Sequence, residues 1–204
     1  GGRTFMAGAD ISEFGKPAKS PDLNSVINAY EDSAKPTIAA LHGTPLGGGL
    51  EVSMGCQYRV ADSKTMLGLP EVKLGLLPGA GGTQRLPRLV GPELALEMIT
   101  SGNPIPAKKA LEEGLVEEVH ETNSLEELIE KTMVFAQTII SKNTHPKTRE
   151  RSEKVSNVSS DIFDNAIKKI TPKLRGREGP LRCIEAVRGA VDLNFDAGLK
   201  NERE

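Results

Sequence analysis

Thr37-Ile-Ala-Ala-Leu-His-Gly-Thr-Pro-Leu-Gly-Gly-Gly-Leu-Glu-Val-Ser-Met-Gly-Cys-Gln-Tyr-Arg-Val-Ala61 decides how this chain is read. Residues 37–42 are a short apolar run entered from Lys35-Pro36, and a proline favours extended backbone around it. The run is therefore expected to be a buried strand. Residues 43–49 interrupt it with glycine and proline, residues 50–56 suit a short helix, and residues 58–61 read as another strand. Strand, glycine turn, helix, strand is the pattern of an α/β layer.

Further along the chain the signals turn helical. Pro92 suits a first helical position and Gly102 a stop, bracketing a helix from Glu93 to Ser101. Pro106 and Gly114 bracket a second in the same way. Ser124-Leu-Glu-Glu127 is a capping box. The helix it opens is expected to bury one face made of Leu125, Leu128, Ile129, Met133, Ala136 and Ile140. Its Met and Phe side chains are expected in core or subunit contacts. Residues 142–160 are polar and proline-punctuated, a loop or a loosely packed helix. Two amphipathic stretches follow, roughly 160–170 and 180–195. The plan is an α/β core over residues 1–122 and a helical part over residues 123–204.

Composition narrows the function. With 204 residues, 37% of them apolar and 26% charged, the chain can bury a real core. No apolar stretch approaches the ~18–20 residues that a membrane span needs, and no basic, hydrophobic leader opens the sequence. A net charge of −2 argues against a general nucleic-acid binder, which needs a basic surface to displace counterions. An anionic ligand stays open, because backbone N–H groups can hold phosphate locally. Cys56 and Cys183 lie far apart without a CxxC partner and are expected as buried, reduced thiols in a reducing compartment. His42, His120 and His145 have no zinc spacing, so no metal is expected. The start at Gly1-Gly2-Arg3 without methionine, and the charged end Asn201-Glu-Arg-Glu204, read as cuts from a longer chain.

Three segments carry candidate chemistry: Ala7-Gly8-Ala9-Asp10, Gly47-Gly48-Gly49-Leu50-Glu51, and the run from Pro70-Glu71 to Arg85-Leu86. Glycines between a strand and a helix let a ligand approach the backbone. The N–H groups of the helix's first turn are free and lie at its positive end. Such a turn can hold an oxygen on which negative charge develops, half of an oxyanion hole, and Gly8-Ala9 offers a second small-residue turn. Glycine triplets also make plain tight turns, and Glu51 in a first helical turn is ordinarily a stabilising surface feature. Glu71 sits between apolar residues, where a carboxyl tends to bind its proton more tightly. Spacing alone does not bring these groups together. Lys108, Lys109, Lys168 and Lys169 read as solvated helix faces, Arg85 as structural, and Cys56 as core.

Taken together and in this order, the three segments resemble the crotonase (enoyl-CoA hydratase/isomerase) superfamily, and Ile105-Pro-Ala-Lys-Lys-Ala-Leu-Glu-Glu-Gly-Leu-Val116 resembles the segment after its core. Gly55-Cys-Gln-Tyr-Arg-Val-Ala61 and the ending from Ala190 are similar to the hydratase part of multifunctional β-oxidation enzymes, where a 3-hydroxyacyl-CoA dehydrogenase domain follows. No GxGxxG after a strand is present for that second domain. The resemblance implies a spiral of ββα units with a helical C-terminal part, lacking the family's first strands, so that the Thr37–His42 strand would expose an edge. It implies backbone N–H groups of Ala9 and Gly48 as the oxyanion hole. Glu51 would activate water and Glu71 protonate the α-carbon, while Ala7, Ala9, Asp10, Ile11, Gly47 and Gly48 would line the CoA groove. The implied activity is hydration of 2-enoyl-CoA. The alternatives are 3,2-enoyl-CoA isomerisation or a non-catalytic acyl-CoA-binding module. The implied partner is the acyl-CoA thioester itself, with no separate cofactor, no nucleic acid and no membrane. Homotrimers, hexamers or fusion to the dehydrogenase all fit, in the cytoplasm of a bacterium or in peroxisomes or mitochondria of a eukaryote.

Overall fold

The computed structural model describes residues 2–8, 20–141, 145–174 and 176–203. Helix α1 (Leu23–Glu31) starts at Asp22, whose side chain accepts from the Ser25 N–H. Strand β1 (Ile38–Leu41), helix α2 (Gly48–Gly55) and strand β2 (Tyr58–Asp62) follow, the βαβ unit that the glycine-rich stretch announces. β1 and β2 pair in parallel, Ile38 opposite Tyr58 and Leu41 opposite Ala61. Parallel neighbours need a crossover rather than a tight hairpin, and α2 is that crossover. β2 continues in parallel to β5 (Glu118–His120), giving the order β1-β2-β5. Between them lie β3 (Met66–Leu67), a 3-10 turn over Glu71–Leu74, α3 (Gly82–Val90), α4 (Pro92–Ser101), β4 (Ile105–Pro106) and α5 (Ala107–Glu112). β3 and β4 form a small antiparallel pair. Among the described residues β1 has a strand on one side only.

The central strand β2 is buried along its whole length. Its side chains alternate between two layers, as strand geometry requires. Tyr58 and Val60 face α6 (Leu125–Ile140), while Ala61 joins Ala39, Leu41, Leu50, Met54 and Leu86 in the main core. Arg59 is enclosed, and its Nε and Nη1 donate to the carbonyls of Leu115 (2.6 Å) and Cys56 (2.7 Å) while Nη2 pairs with Glu117 at 2.9 Å. Burying that charge is tolerable because every part of the fork has a partner. The core extends into α7 (Asp161–Ile170) and α8 (Gly179–Asp192) through Phe163, Cys183, Ile184 and Val187.

Two expectations need correction. The buried face of α6 is Leu128, Thr132, Phe135 and Ile139, whereas Ile129, Met133 and Ile140 are exposed, Met133 at 59%. The helix has apolar residues on two adjacent stripes. The stripe with the large ring wins: Phe135 meets Tyr58 edge-on at 5.7 Å, and an aromatic ring gains more from burial than a flexible methionine does. Thr132 is accepted in the interface because its hydroxyl donates to the Leu128 carbonyl at 2.8 Å. At the entry, Ser124 accepts from Glu127 N–H at 3.2 Å, but the Glu127 carboxylate reaches Asn123 N–H, one residue before the capping-box partner. The second correction is at the end of the chain, where the stretch at roughly 180–195 is not the last element: a further helix α9 (Phe195–Arg203) follows it and packs on α3 and α8. Among the described residues no helix is long and apolar enough to cross a membrane.

Candidate active site

The site is built around α2. This helix is apolar on all sides and buried from Gly49 to Gly55, so a carboxyl carried on it is carried into the core. Glu51 is 3% exposed. The residues just before it make a turn around Gly47, whose φ of 55° and ψ of −131° suit glycine. A Cβ there would lie 2.9 Å from Glu71 Oε1 and 3.8 Å from the Gly8 Cα. The turn therefore touches both other sequence segments at once. The amino-terminal segment is laid against it by hydrogen bonds from Phe5 N–H to the His42 carbonyl (3.1 Å) and from Leu46 N–H to the Met6 carbonyl (3.2 Å). Gly49 is needed for that approach, since a Cβ would stand 2.1 Å from the Met6 oxygen.

In the first turn of α2 the N–H of Gly47 donates to the Gly68 carbonyl at 2.9 Å and that of Gly49 to the Leu46 carbonyl at 3.0 Å. The N–H of Gly48, between them, meets no acceptor among the described residues. Ala7 and Gly8 lie beside this turn and are exposed. Ala9, Asp10 and Ile11, expected to supply the second N–H and part of the CoA groove, lie outside the described residues.

The two glutamates come together. Glu71 opens the 3-10 turn after Pro70 and is half-buried, but its Oε2 is enclosed and has no hydrogen-bond partner among the described residues. Glu51 Oε1 accepts from the N–H groups of Ala80 (2.8 Å) and Gly82 (2.9 Å), at the start of α3. Burial pushes the Glu51 carboxyl up to about 8, with the charges of Glu202 and Glu71 adding to it and the two amides opposing it. Burial likewise pushes Glu71 up to about 7, with Glu202 again contributing. Two carboxyls in one low-dielectric place titrate as a pair.

Sequence reading missed a third acid. Glu202 on α9 is 7% exposed and close enough to both glutamates to raise their proton affinity. A glutamate in a run of Asn, Glu, Arg and Glu reads as solvated surface, and its only local signal was the amphipathic spacing of Phe195, Leu199 and Glu202. Arg85 is structural as expected: it is enclosed and paired with Glu31 at 2.7 Å. Cys56 and Cys183 are free and buried. A cavity of about 640 Å³ lies nearby between α4, α7, α8 and the 3-10 turn, taking Val72, Leu96, Ile162, Ala166, Ile170 and Pro180 into its wall. Neither Glu51 nor Glu71 lines it.

A glycine turn with an amide that meets no acceptor among the described residues, Glu71 against that turn and Glu51 close enough to feel its charge make an arrangement that can polarise a carbonyl oxygen and move protons beside it. The chain belongs to the enoyl-CoA hydratase/isomerase family, whose model matches residues 1–176. Within that family it is similar to the hydratase part of multifunctional fatty-acid oxidation enzymes. It is 43% identical over 204 residues to the peroxisomal bifunctional enzyme of Danio rerio, covering 98% of this chain and 27% of that protein. It is 40% identical over 212 residues to the fatty acid oxidation complex subunit alpha of Shewanella baltica, covering 98% of this chain and 30% of that one. The chain thus spans less than a third of the length of these curated relatives. Among solved structures, an enoyl-CoA hydratase subunit of Geobacillus kaustophilus superposes with a TM-score of 0.60 at 33% identity, over 99% of this chain and 66% of that one. The enoyl-CoA hydratase of Bacillus anthracis gives 0.59 at 31% identity, over 97% and 65%.

Proposed function

We propose that this chain carries the site of an enoyl-CoA hydratase, adding water across the 2-double bond of 2-enoyl-CoA thioesters in fatty-acid β-oxidation. The observation that supports this most is the convergence of Glu51 and Glu71 at the Gly47–Gly48 turn, with the Gly48 N–H left open. In this reading the thioester oxygen accepts from the N–H groups of Gly48 and Ala9. Drawing electron density onto that oxygen makes the β-carbon electrophilic and stabilises the enolate after attack. Water is held between the carboxyls. One glutamate takes a proton from it as its oxygen bonds to the β-carbon, and the other delivers a proton to the α-carbon, so the pair ends with the one proton it began with. The resemblance gives water activation to Glu51 and α-protonation to Glu71. Burial raises the proton affinity of both carboxyls, so the division of labour belongs to the pair rather than to fixed individual states.

Hydration of crotonyl-CoA by the full-length protein, followed as loss of the conjugated thioester absorbance, tests the proposal. Glu51→Gln and Glu71→Gln should each lower kcat by about two to four orders of magnitude. Normal turnover by either variant refutes the assignment. A parallel assay with a 3-enoyl-CoA reports isomerisation, which the same pair of acids would serve. Binding of acyl-CoA without turnover would identify a non-catalytic module.

A further inference from the structure

We propose that Glu202 is a positioning residue of this site, locking the 80–83 turn that holds Glu51 and keeping a standing negative charge beside the two catalytic carboxyls. The inference rests on the hydratase reading of Glu51 and Glu71.

Four successive N–H groups, Ala80 to Thr83, point out of the start of α3, where a helix leaves its amides without partners of its own. They are shared alternately between two acids. Ala80 and Gly82 donate to Glu51 Oε1. Gly81 donates to Glu202 Oε1 at 2.7 Å, and Thr83 donates to Glu202 Oε2 from its N–H at 3.0 Å and from its hydroxyl at 2.5 Å. With alternate amides bound to different side chains, Glu51 cannot move without disturbing the grip of Glu202.

The anchoring of α9 points the same way. The Phe195 ring at its start lies under the guanidinium groups of Arg85 (4.9 Å) and Arg88 (5.1 Å), and Arg85 is itself tied to Glu31 on α1. Gln84 next to the turn is held by the Ala186 carbonyl of α8 at 2.8 Å. Glu202 is thus delivered to the turn by a rigid arrangement of α1, α3, α8 and α9.

Capping a helix start needs only a hydroxyl or an amide. A third buried carboxyl beside two others adds desolvation and repulsion that a merely structural cap would avoid. Among the described residues, the charged and titratable groups facing this cluster are Glu51 from α2, Glu71 from the 3-10 turn, Arg85 from α3 with its partner Glu31 from α1, and the Cys183 thiol from α8. Of the three acids, Glu202 has the fullest donor set, three bonds spread over both oxygens, with Arg85 also favouring its ionised form. Burial works against ionisation of Glu202 as it does for its neighbours, but with those donors it is the member to which this proposal assigns the charge, and a charge there raises the proton affinity of the other two.

The test is the pH profile of crotonyl-CoA hydration by the full-length protein carrying Glu202→Gln or Glu202→Asp. Removing the charge favours ionisation of both neighbours, so in Glu202→Gln both limbs of the profile move to lower pH, by roughly one unit. In Glu202→Asp the charge stays, the limbs stay, and only the plateau falls because the shorter side chain reaches the turn poorly. Limbs unmoved in both variants, or moved equally in both, overturn the proposal. A readout on the unsubstituted residue covers a Gln variant that fails to fold: carbon-13 titration of glutamate carboxyls, assigned through Glu51→Gln and Glu71→Gln. Glu202 should be the first of the three to lose its proton as pH rises, and any other order overturns the proposal. Absence of turnover in the parent protein would refute the hydratase reading instead, while the order of titration would still decide the role of Glu202.

Discussion

Replacing Glu51 by glutamine should abolish most of the activity and, at alkaline pH, make the protein more stable. The Glu51 carboxyl is raised from 4.5 to about 8 chiefly by burial, and at 1.36 kcal/mol per unit that corresponds to roughly 3–5 kcal/mol. The sign follows from where the protons are. Between these two values the unfolded chain has released the proton while the folded chain keeps it, so stability falls as pH rises through this window. The carboxyl's contribution is fully present below about 4.5 and lost above about 8. Glutamine is uncharged in both states, and its oxygen can still accept from Ala80 and Gly82. Urea unfolding of Glu51→Gln and parent at about pH 5 and about pH 9 should therefore show near-equal midpoints at the lower pH and a higher midpoint for the variant at the upper, with unchanged slopes. A difference of the same size and sign at both pH values would refute the reasoning, because it would mean that packing rather than ionisation sets the effect.

Three further outcomes follow from particular contacts. Gly47→Ala places a methyl against Glu71 Oε1 at a positive φ, so it should cost about 1–3 kcal/mol of stability by thermal melting and lower kcat by tenfold or more. Glu31→Ala strips the buried Arg85 of its ion-pair partner, both side chains being 1% exposed, and should destabilise by about 3–5 kcal/mol in denaturant titration. Phe135→Ala should cost about 3–5 kcal/mol, whereas Met133→Lys on the exposed side of α6 should stay within about 0.5 kcal/mol; comparable losses for the two would mean that the helix presents its other face.

The α/β layer was legible because its cues are local. Apolar runs, a glycine break and a buried α2 follow each other within residues 37–61, and the prolines and glycines around α4 and α5 mark those helices within a residue or two of where they run. The candidate site was legible as parts: Glu71 stood out by its apolar neighbours, whereas Glu51 was picked out only by the family resemblance of the whole constellation. The α6 face was misread because two adjacent apolar stripes satisfy helical periodicity equally well, and the decision lies with Tyr58, a residue 77 positions before Phe135. Glu202 was invisible for a similar reason: nothing near it in sequence says that α9 returns to the start of α3.

By itself, then, the sequence determined the order of strand, turn and helix and the place of a glycine turn that can leave backbone N–H groups without partners, while the two acids were singled out through resemblance to a family. That order and that turn depend on φ/ψ preferences and capping within a few residues. Only the tertiary structure decided that Glu51, Glu71 and Glu202 share one enclosed place and that their proton affinities rise together. Burial and charge coupling depend on what lies within a few ångströms in space, and here that neighbourhood is assembled from residues up to about 150 positions apart along the chain.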